Sequence, residues 1–355
     1  MGGIETHVQN LVAGMSSSHK IQVVVAGDSI QRQVDHMDGA VITRVPTLGV
    51  VASMPITPTL PLELIKANPQ LIHVQAPNPG AAFAIVVSGY RGPLVVTHQS
   101  DTLRQKFLKR LADPFVNEMM RRADRIIATS ERYLSSSVEL APFRSKCRVI
   151  PMGINYEAEE DDSFFADSDE IIRTYGPRLI LAVGRLVGYK GFIYLVRAMR
   201  SVDGILLLVG RGPLEAELKG AAQKLGVGNK VKFLGKVDRL QPFYRASSVF
   251  VLPSISRAEA FGLVQLEAMA SGLPVVNTDL DSGVPEVSAD KVTGLTVPPA
   301  DADALARAIN LLLDDEDLRK KMGAAGKARA HSEFSLHLMI ERTKSLYDEV
   351  LAERR

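Results

Sequence analysis

The sequence is poor in cysteine, in long apolar runs and in net charge, and each shortage excludes a class of protein. Cys147 is the only cysteine among 355 residues, so no disulfide can form within the chain and a reducing compartment is expected. No apolar run reaches the roughly 18 residues of a transmembrane helix, and the start MGGIETHVQNL lacks the basic and apolar regions of a signal peptide. We therefore predict a cytoplasmic protein that contacts membranes only peripherally.

The formal net charge is only +2, which argues against a nucleic-acid partner, and the hydrophobic (46%) and charged (23%) fractions are those of a globular protein. One segment, residues 104–132, departs from this balance. Its cations are Arg104, Lys106, Lys109, Arg110, Arg121, Arg122, Arg125 and Arg132. They form either the solvated face of a helix or a surface for anionic lipid or phosphate at the inner face of the cell membrane.

The chain is too long for one hydrophobic core, and short β-branched runs alternate with amphipathic segments almost throughout. This pattern predicts an α/β protein with two doubly wound domains and a cleft between them. The predicted strands are KIQVVVAG, AVITRVP, LIHVQAP, PLVVTHQS, RIIATS and CRVIP, then RLILAVGRL, GILLLVGRG, KVKFLG, SVFVLPSI, LPVVNTD and TGLTVPP. A Pro- and Gly-bearing acidic stretch, PMGINYEAEEDDSFFADSDE, separates domains that we place at residues 1–153 and 154–334.

The two ends of the chain depart from that alternation. From Asp301 onward the sequence looks helical. At the start, a glycine pair and a helix stand where a doubly wound domain should begin with a strand. Either the native start lies upstream of Met1, or the first sheet lacks a central strand.

The segment SRAEAFGLVQLEAMASGLPVV carries two glutamates on an otherwise apolar background. A helix should begin near Phe261 and Gly262 at the carboxyl end of a strand, so the N–H groups of Phe261, Gly262 and Leu263 form an anion site. Glu259 lies just before this terminus, and Glu267, five residues past Gly262, lies about 7.5 Å along the helix axis from it, at 1.5 Å per residue. Alternatively, Glu259 caps the helix and Glu267 is a solvated side chain.

A second loop, in LAVGRLVGYKGF, brings Arg185 and Lys190 to the same predicted sheet edge, ahead of a helix that starts at Gly191. Two such cations are the usual means of holding a diphosphate, although they are also compatible with exposed loop charges. The loop VGRGPLEAEL has Glu215 where a dinucleotide fingerprint requires its third glycine. It also lacks the lysine of a P-loop, so neither of these nucleotide-binding motifs is present. Asp279 and Asp281 are interpreted as turn residues rather than a metal pair.

In the first half, His98 closes the strand PLVVTH, and carboxyl ends of strands line clefts in α/β folds. His98 is therefore a candidate functional residue. His73 lies within a strand and is interpreted as a satisfied core histidine.

The motifs GGIETH, VGRLVGYKG, VGRGP, FLGKV, SRAEAFGLVQLEAMASGLPVV and TGLTVPP, taken together and in this order, resemble the retaining glycosyltransferases of glycosyltransferase family 4, whose fold is GT-B. The resemblance implies catalytic roles for Arg185, Lys190, Glu259 and His98. It implies donor or acceptor contacts for Gly2, Gly3, Gly184, Arg211, Glu259, Ala260, Phe261, Gly262, Leu263 and Glu267. It further implies that residues 335–355 form a helix that crosses back to the first domain, and that no metal or other cofactor is needed.

By the same resemblance, Arg185 and Lys190 would bind a diphosphate, Glu259 the donor sugar and Glu267 the ribose. The activity implied is hexose transfer from a nucleotide sugar, GDP-mannose or a UDP-sugar, to a glycan or polyprenyl-diphosphate-linked acceptor. Similar bacterial enzymes build cell-envelope polysaccharides, including lipopolysaccharide. Two alternatives stay open: a sugar-nucleotide epimerase of the same fold, and a non-catalytic partner subunit.

Overall fold

The computed structural model describes residues 3–51, 54–101, 106–155 and 163–354. The chain divides into two compact units. Unit 1 comprises Met1–Met152 with Leu336–Arg355, and unit 2 comprises Gly153–Ser335.

Unit 1 is an α/β unit with two sheets and a short hairpin. Its helices are α1 (Gly3–Met15), α2 (Leu60–Ala67), α3 (Pro79–Val87), α4 (Lys106–Arg122), α5 (Glu131–Ser136) and α14 (Leu336–Glu353). Its strands are β1 (Gln22–Ala26), β2 (Gln33–Met37), β3 (Ala40–Val45), β4 (Val50–Val51), β5 (Met54–Pro55), β6 (Ile72–Ala76), β7 (Leu94–His98), β8 (Arg125–Ala128) and β9 (Cys147–Val149). Strands β6-β7-β8-β9 form a parallel sheet, β1-β3-β2 a mixed sheet and β4-β5 the hairpin.

The six strands predicted for the first half of the chain are all present, whereas β2, β4 and β5 have no counterpart among the predictions. All five residues of β2 are exposed, and β4 and β5 have two residues each. These strands lack a buried apolar run, which is the sequence signal on which strand prediction depends. Within the described residues, the strands of unit 1 fall into separate sheets rather than one.

The C-terminal helix α14 belongs to unit 1. It packs with α1 against the parallel sheet in an apolar cluster that includes Leu11, Val95, Ile340 and Val350. The burial of this apolar face is the main stabilising contribution to the packing of such a helix.

Unit 2 is a doubly wound parallel sheet of six strands in the order β12-β11-β10-β13-β14-β15. The strands are β10 (Leu179–Val183), β11 (Ile205–Val209), β12 (Val231–Gly235), β13 (Val249–Leu252), β14 (Val275–Thr278) and β15 (Gly294–Val297). The helices are α6 (Ser163–Tyr175), α7 (Phe192–Ala198), α8 (Glu215–Lys224), α9 (Gln241–Ala246), α10 (Leu263–Ala270), α11 (Val284–Val287), α12 (Ala302–Asp314) and α13 (Glu316–Glu333). All six predicted strands are confirmed.

The strand order of unit 2 reverses between β10 and β13, which are adjacent and parallel. Every residue of these two strands is buried, as expected for strands covered by helices on both faces. The chain leaves β10 toward β11 and leaves β13 toward β14, so the loops after β10 and β13 diverge. Such a switch point is where ligands bind in open α/β sheets.

Among the residues that the structure describes, every helix is too short or too polar to cross a bilayer.

Candidate functional site

The two loops that leave the switch point of unit 2 are held together by the backbone. After β10 the chain passes through Gly184 and a short 3-10 turn, Gly188–Lys190, to Gly191. The N–H of Ile255, in the loop after β13, donates to the carbonyl of Tyr189 at 2.8 Å. Gly191 is left-handed (φ +67°), and a Cβ there would lie 2.0 Å from the Pro253 carbonyl oxygen, so only glycine permits this approach.

This packing brings Lys190 and Glu259 together, although they come from different loops. Lys190 Nζ lies 2.5 Å from Glu259 Oε2, and each side chain is only 10% exposed. The fully buried Ser254 donates its hydroxyl to the same Oε2 at 3.0 Å. Within the described residues no donor lies on Glu259 Oε1. One carboxylate oxygen therefore serves the protein, and the other keeps its capacity to accept hydrogen bonds.

Ser254 was not singled out by the sequence analysis, although it lies near the end of the predicted strand SVFVLPSI, directly after its proline. Its carbonyl oxygen accepts a hydrogen bond of 2.5 Å from the hydroxyl of Thr278, which ends β14. Both residues are completely buried. A polar residue at the carboxyl end of an apolar strand is the signal that would have found them.

The backbone around the start of α10 presents free donors. The helix begins at Leu263, directly after the predicted start near Phe261 and Gly262, because Gly262 takes a left-handed conformation (φ +75°). Within the described residues no acceptor is found for the N–H groups of Ala260, Phe261, Gly262 and Leu263. Unpaired N–H groups at the positive end of a helix dipole form a site that suits an anion.

A buried amide network fixes this N-terminus. The Gln265 amide donates to the carbonyl of Phe261 at 2.8 Å, and the Asn277 amide donates to Gln265 Oε1 at 3.2 Å. Gln265 and Asn277 are both fully buried. Because such networks are costly to break when buried, they hold the loop before α10 in one conformation.

Glu267 lies one turn further along α10 and is partly buried. The hydroxyl of Tyr244, itself fully buried, donates to Glu267 Oε2 at 2.7 Å. Burial raises the pKa of Glu267 above its ordinary value, and the hydrogen bond from Tyr244 opposes that rise. Both alternatives for the glutamates are therefore wrong: Glu259 is bound by Lys190 and Ser254 instead of capping α10, and Glu267 is not a freely solvated side chain.

Arg185 and Arg211 lie in loops at the same edge of the sheet, with exposed side chains. Their loops are joined by the N–H of Leu186, which donates to the carbonyl of Arg211 at 3.0 Å. Within the described residues Arg185 forms no ion pair. Burial raises the pKa of Tyr189, and the charges of Lys190 and Arg185 both oppose that rise. The side chain of Arg211 lies beside Gly235 in the FLGKV segment, and Gly184 lies against Lys190.

In unit 1, His98 ends β7 and is buried, with both ring nitrogens engaged. Nδ1 lies 2.6 Å from the hydroxyl of Tyr133, and Nε2 lies 3.2 Å from Glu139 Oε2. The Tyr133 hydroxyl also donates to Asp101 at 3.1 Å. Burial and the charge of Asp101 raise the pKa of Tyr133 well above its usual range. The sequence analysis missed Tyr133 and Glu139 because they lie 35 and 41 residues from His98 along the chain.

The ligand atoms of His98, Asp101 and Glu139 lie within 4.8 Å of one another, a spacing that could hold a metal ion. The sequence predicted no metal, so this cluster was not anticipated. Of the predicted glycine pair, Gly3 begins α1 and Gly2 lies outside the described residues.

The cations of residues 104–132 are largely paired where their side chains are described. Arg121 and Arg122 both bond Glu118, at 2.9 and 2.6 Å, and Arg125 pairs with Glu349. Arg104 lies outside the described residues.

Comparisons with known proteins identify the family. Residues 1–158 match the family model "Glycosyltransferase Family 4", and residues 166–329 match "Glycosyl transferases group 1". The D-rhamnosyltransferase WbpZ of Pseudomonas aeruginosa is 32% identical over 277 residues, which cover 76% of this chain and 71% of that protein. The chain belongs to glycosyltransferase family 4.

Two further relatives agree with this assignment of the family 4 glycosyltransferase. The O-antigen chain mannosyltransferase C of Escherichia coli is 33% identical over 263 residues, 73% of this chain and 70% of that protein. The structure of sucrose-phosphate synthase from Thermosynechococcus elongatus superposes with a TM-score of 0.82 at 26% identity, covering 99% of this chain and 94% of that one. The predicted GT-B fold, with two Rossmann-like units, is confirmed.

Proposed function

We propose that this glycosyltransferase moves a hexose from a nucleotide diphosphate sugar to a glycan or polyprenyl-diphosphate-linked acceptor in cell-envelope polysaccharide synthesis. GDP-mannose is the favoured donor and a UDP-sugar the second candidate. The observation that carries the proposal is the Lys190–Glu259 pair beside the unpaired N–H groups before α10, at the switch point of unit 2. The names of the rhamnosyl- and mannosyltransferase relatives support hexose transfer.

In this proposal unit 2 binds the donor. Lys190 and the N–H groups before α10 hold the diphosphate, and Arg185 closes on it from the exposed side of the loop. Glu259 Oε1 accepts hydrogen bonds from hydroxyls of the sugar. Glu267, held by Tyr244, accepts those of the ribose, and Arg211 with the FLGKV segment flanks the base.

The reaction proposed is metal-independent and retains the configuration of the sugar. The bond between the anomeric carbon and the diphosphate oxygen breaks, while the acceptor oxygen bonds to the same face of that carbon. A leaving phosphate oxygen takes the acceptor's proton. The demand on the protein is stabilisation of negative charge on the leaving diphosphate, which Lys190 and the helix N-terminus supply.

Unit 1 is proposed to bind the acceptor, with His98 at the end of β7 facing the transferring sugar. A lipid-linked acceptor would bring unit 1 to the inner face of the cell membrane, where anionic lipid meets the cations of residues 104–132. Arg121 and Arg122 share one carboxylate, Glu118, so this group keeps a net positive charge.

A thermal-shift panel with GDP, UDP, ADP, GDP-mannose, UDP-glucose and UDP-N-acetylglucosamine tests the donor. A ligand at a hundred times its Kd adds about 2.7 kcal/mol to the free energy of unfolding. We expect one base family to stabilise the protein equally with and without EDTA, and the shift to be lost in Glu267→Ala. The absence of a shift with every nucleotide would contradict the proposal.

Product analysis separates the rivals. A non-catalytic subunit would bind the nucleotide sugar without consuming it, whereas a transferase slowly hydrolyses its donor when no acceptor is present. An epimerase would convert the sugar without releasing the nucleoside diphosphate.

A further inference from the structure

The counter-charge of Lys190 comes from within the candidate site itself. Lys190 is buried, and its charge is neutralised by Glu259 Oε2 at 2.5 Å. The ring of Tyr189 lies 5.7 Å from Nζ. Within the described residues Glu259 is the ion-pair partner of Lys190. A phosphate that approaches Lys190 therefore meets a carboxylate of its own sign.

The same carboxylate offers something that a nucleotide sugar can use and a bare nucleoside diphosphate cannot. Within the described residues no donor lies on Glu259 Oε1. A sugar hydroxyl can donate a charge-assisted hydrogen bond to this oxygen, whereas a terminal phosphate can only repel it. Both ligands bring negative charge close to Glu259. Only the nucleotide sugar offsets this repulsion, through the hydrogen bond from its hydroxyl to Oε1.

We propose that Glu259 is a specificity-determining residue that disfavours the bare nucleoside diphosphate relative to the nucleotide sugar. Its Oε2 neutralises Lys190, which lowers the affinity for the nucleoside diphosphate that transfer releases. Its Oε1 restores the affinity when a hexose is attached to the diphosphate. The inference rests on the proposed function, because it assumes that the diphosphate of a nucleotide sugar binds at Lys190.

Ser254 and Thr278 are positioning residues for this discrimination. Ser254 donates to Oε2 at 3.0 Å, on the same oxygen as Lys190, so the carboxylate cannot rotate without losing both partners. Thr278 fixes the Ser254 carbonyl from the next strand. The two residues touch neither the diphosphate nor the sugar in the proposed arrangement. Their effect falls on the orientation of Oε1 alone.

Calorimetric titration with GDP and GDP-mannose, and with UDP and UDP-glucose, tests the inference without acceptor. In Glu259→Gln we expect the Kd of the nucleoside diphosphate to fall several-fold, because the carboxylate charge is gone. The Kd of the matching nucleotide sugar should rise roughly tenfold, the order expected for the loss of one hydrogen bond to a charged group. The preference for the nucleotide sugar is then lost or reversed.

Two further variants make the result specific. Glu316→Gln removes the same charge from an exposed pair of unit 2, Lys320–Glu316 at 2.7 Å, and should change neither Kd. Ser254→Ala leaves the charge of Glu259 in place, so we expect the nucleotide sugar to bind several-fold more weakly while the nucleoside diphosphate binds as before. A melting temperature measured without ligand checks that each variant is folded.

The outcomes separate the inference from the proposed function. Suppose that wild type binds both ligands of one pair, and that Glu259→Gln either weakens the binding of both equally or leaves both unchanged. The discrimination by Glu259 is then overturned, while the donor site stands. If wild type binds no nucleotide of either pair, the proposed donor site fails and the inference fails with it.

Discussion

The two units place polar groups at the carboxyl ends of parallel strands in different ways. In unit 2 the Lys190–Glu259 pair stands beside unpaired backbone N–H groups, and Glu259 Oε1 keeps its capacity to accept. In unit 1 both nitrogens of His98 are engaged by Tyr133 and Glu139. A ligand can therefore add to the polar groups of unit 2 as they stand, whereas a ligand that contacts His98 must first displace a protein partner.

The largest expected effect contrasts these two sites. Lys190→Ala removes the buried cation and leaves Glu259 uncompensated, so we expect transfer to fall by roughly 10²–10³, as for loss of one preorganised charge-stabilising donor. Nucleotide binding should weaken as well. His98→Asn should lower transfer while nucleotide affinity stays unchanged, because its contacts lie in unit 1. Product formation and nucleotide Kd are the measurements.

Lys320→Ala, which removes an exposed lysine of unit 2 paired with Glu316, is the matched control and should retain activity. Loss of nucleotide binding in His98→Asn would erase the contrast between the units.

Acidification should affect unit 1 through its buried histidines. Burial lowers the pKa of His7 to about 4, and burial with the charge of His7 lowers the pKa of His73 to about 3. Because the unfolded chain binds these protons near pH 6.5, the stability present above pH 6.5 is lost as the pH falls toward the folded values. We expect a loss of ~2 kcal/mol per histidine at pH 5.

Urea unfolding of unit 1 between pH 7.5 and 5, followed by hydrogen exchange or a probe in that unit, measures this loss. His7→Leu should flatten the pH dependence by the share of one histidine. In unit 2 the raised pKa of Glu267 changes stability in the opposite direction. A carboxyl that binds its proton more readily in the folded state stabilises that state as the pH falls. If acidification lowered the free energy of unfolding equally in both units, the pH dependence could not be assigned to the buried histidines of unit 1.

A smaller effect is expected at Glu267. Tyr244→Phe removes the hydroxyl that donates to Glu267 at 2.7 Å, so the pKa of Glu267 should rise further. The nucleotide Kd should rise several-fold. This is less than the tenfold or more expected when a ligand loses a hydrogen bond to a charged group, because Tyr244 acts through Glu267. Tyr194→Phe serves as the control, because its hydroxyl bonds no described residue. A nucleotide Kd unchanged in Tyr244→Phe would remove Glu267 from the donor site.

The smallest effect concerns membrane contact by unit 1. Arg121→Gln removes an exposed cation that pairs with Glu118, and liposomes with anionic lipid should bind up to about fivefold more weakly, at about 1 kcal/mol per cation. Neutral liposomes should show no difference. Arg307→Gln, on an exposed position of unit 2, gives the matched comparison. Equal binding by both variants and wild type would argue against a membrane role for this segment.

The sequence alone determined the α/β class, all twelve predicted strands and the helical C-terminus. These features depend on local periodicity and on runs of β-branched residues, both of which are set by residues close together in the sequence. It also placed Lys190 and Glu259 in loops at one sheet edge, since carboxyl ends of parallel strands meet there. Strands β2, β4 and β5 were not predicted, because exposed or two-residue strands carry no periodic hydrophobic signal.

Only the tertiary structure decided which polar groups bond one another. The adjacency of β10 and β13 brings Lys190 to Glu259, and the register of β14 places Thr278 against Ser254. Tyr244 reaches Glu267 from another helix, and Tyr133 and Glu139 reach His98 from other segments. Hydrogen bonds extend about 3 Å and depend on direction, so they are set by strand order and loop path. Residue type and spacing along the chain specify neither.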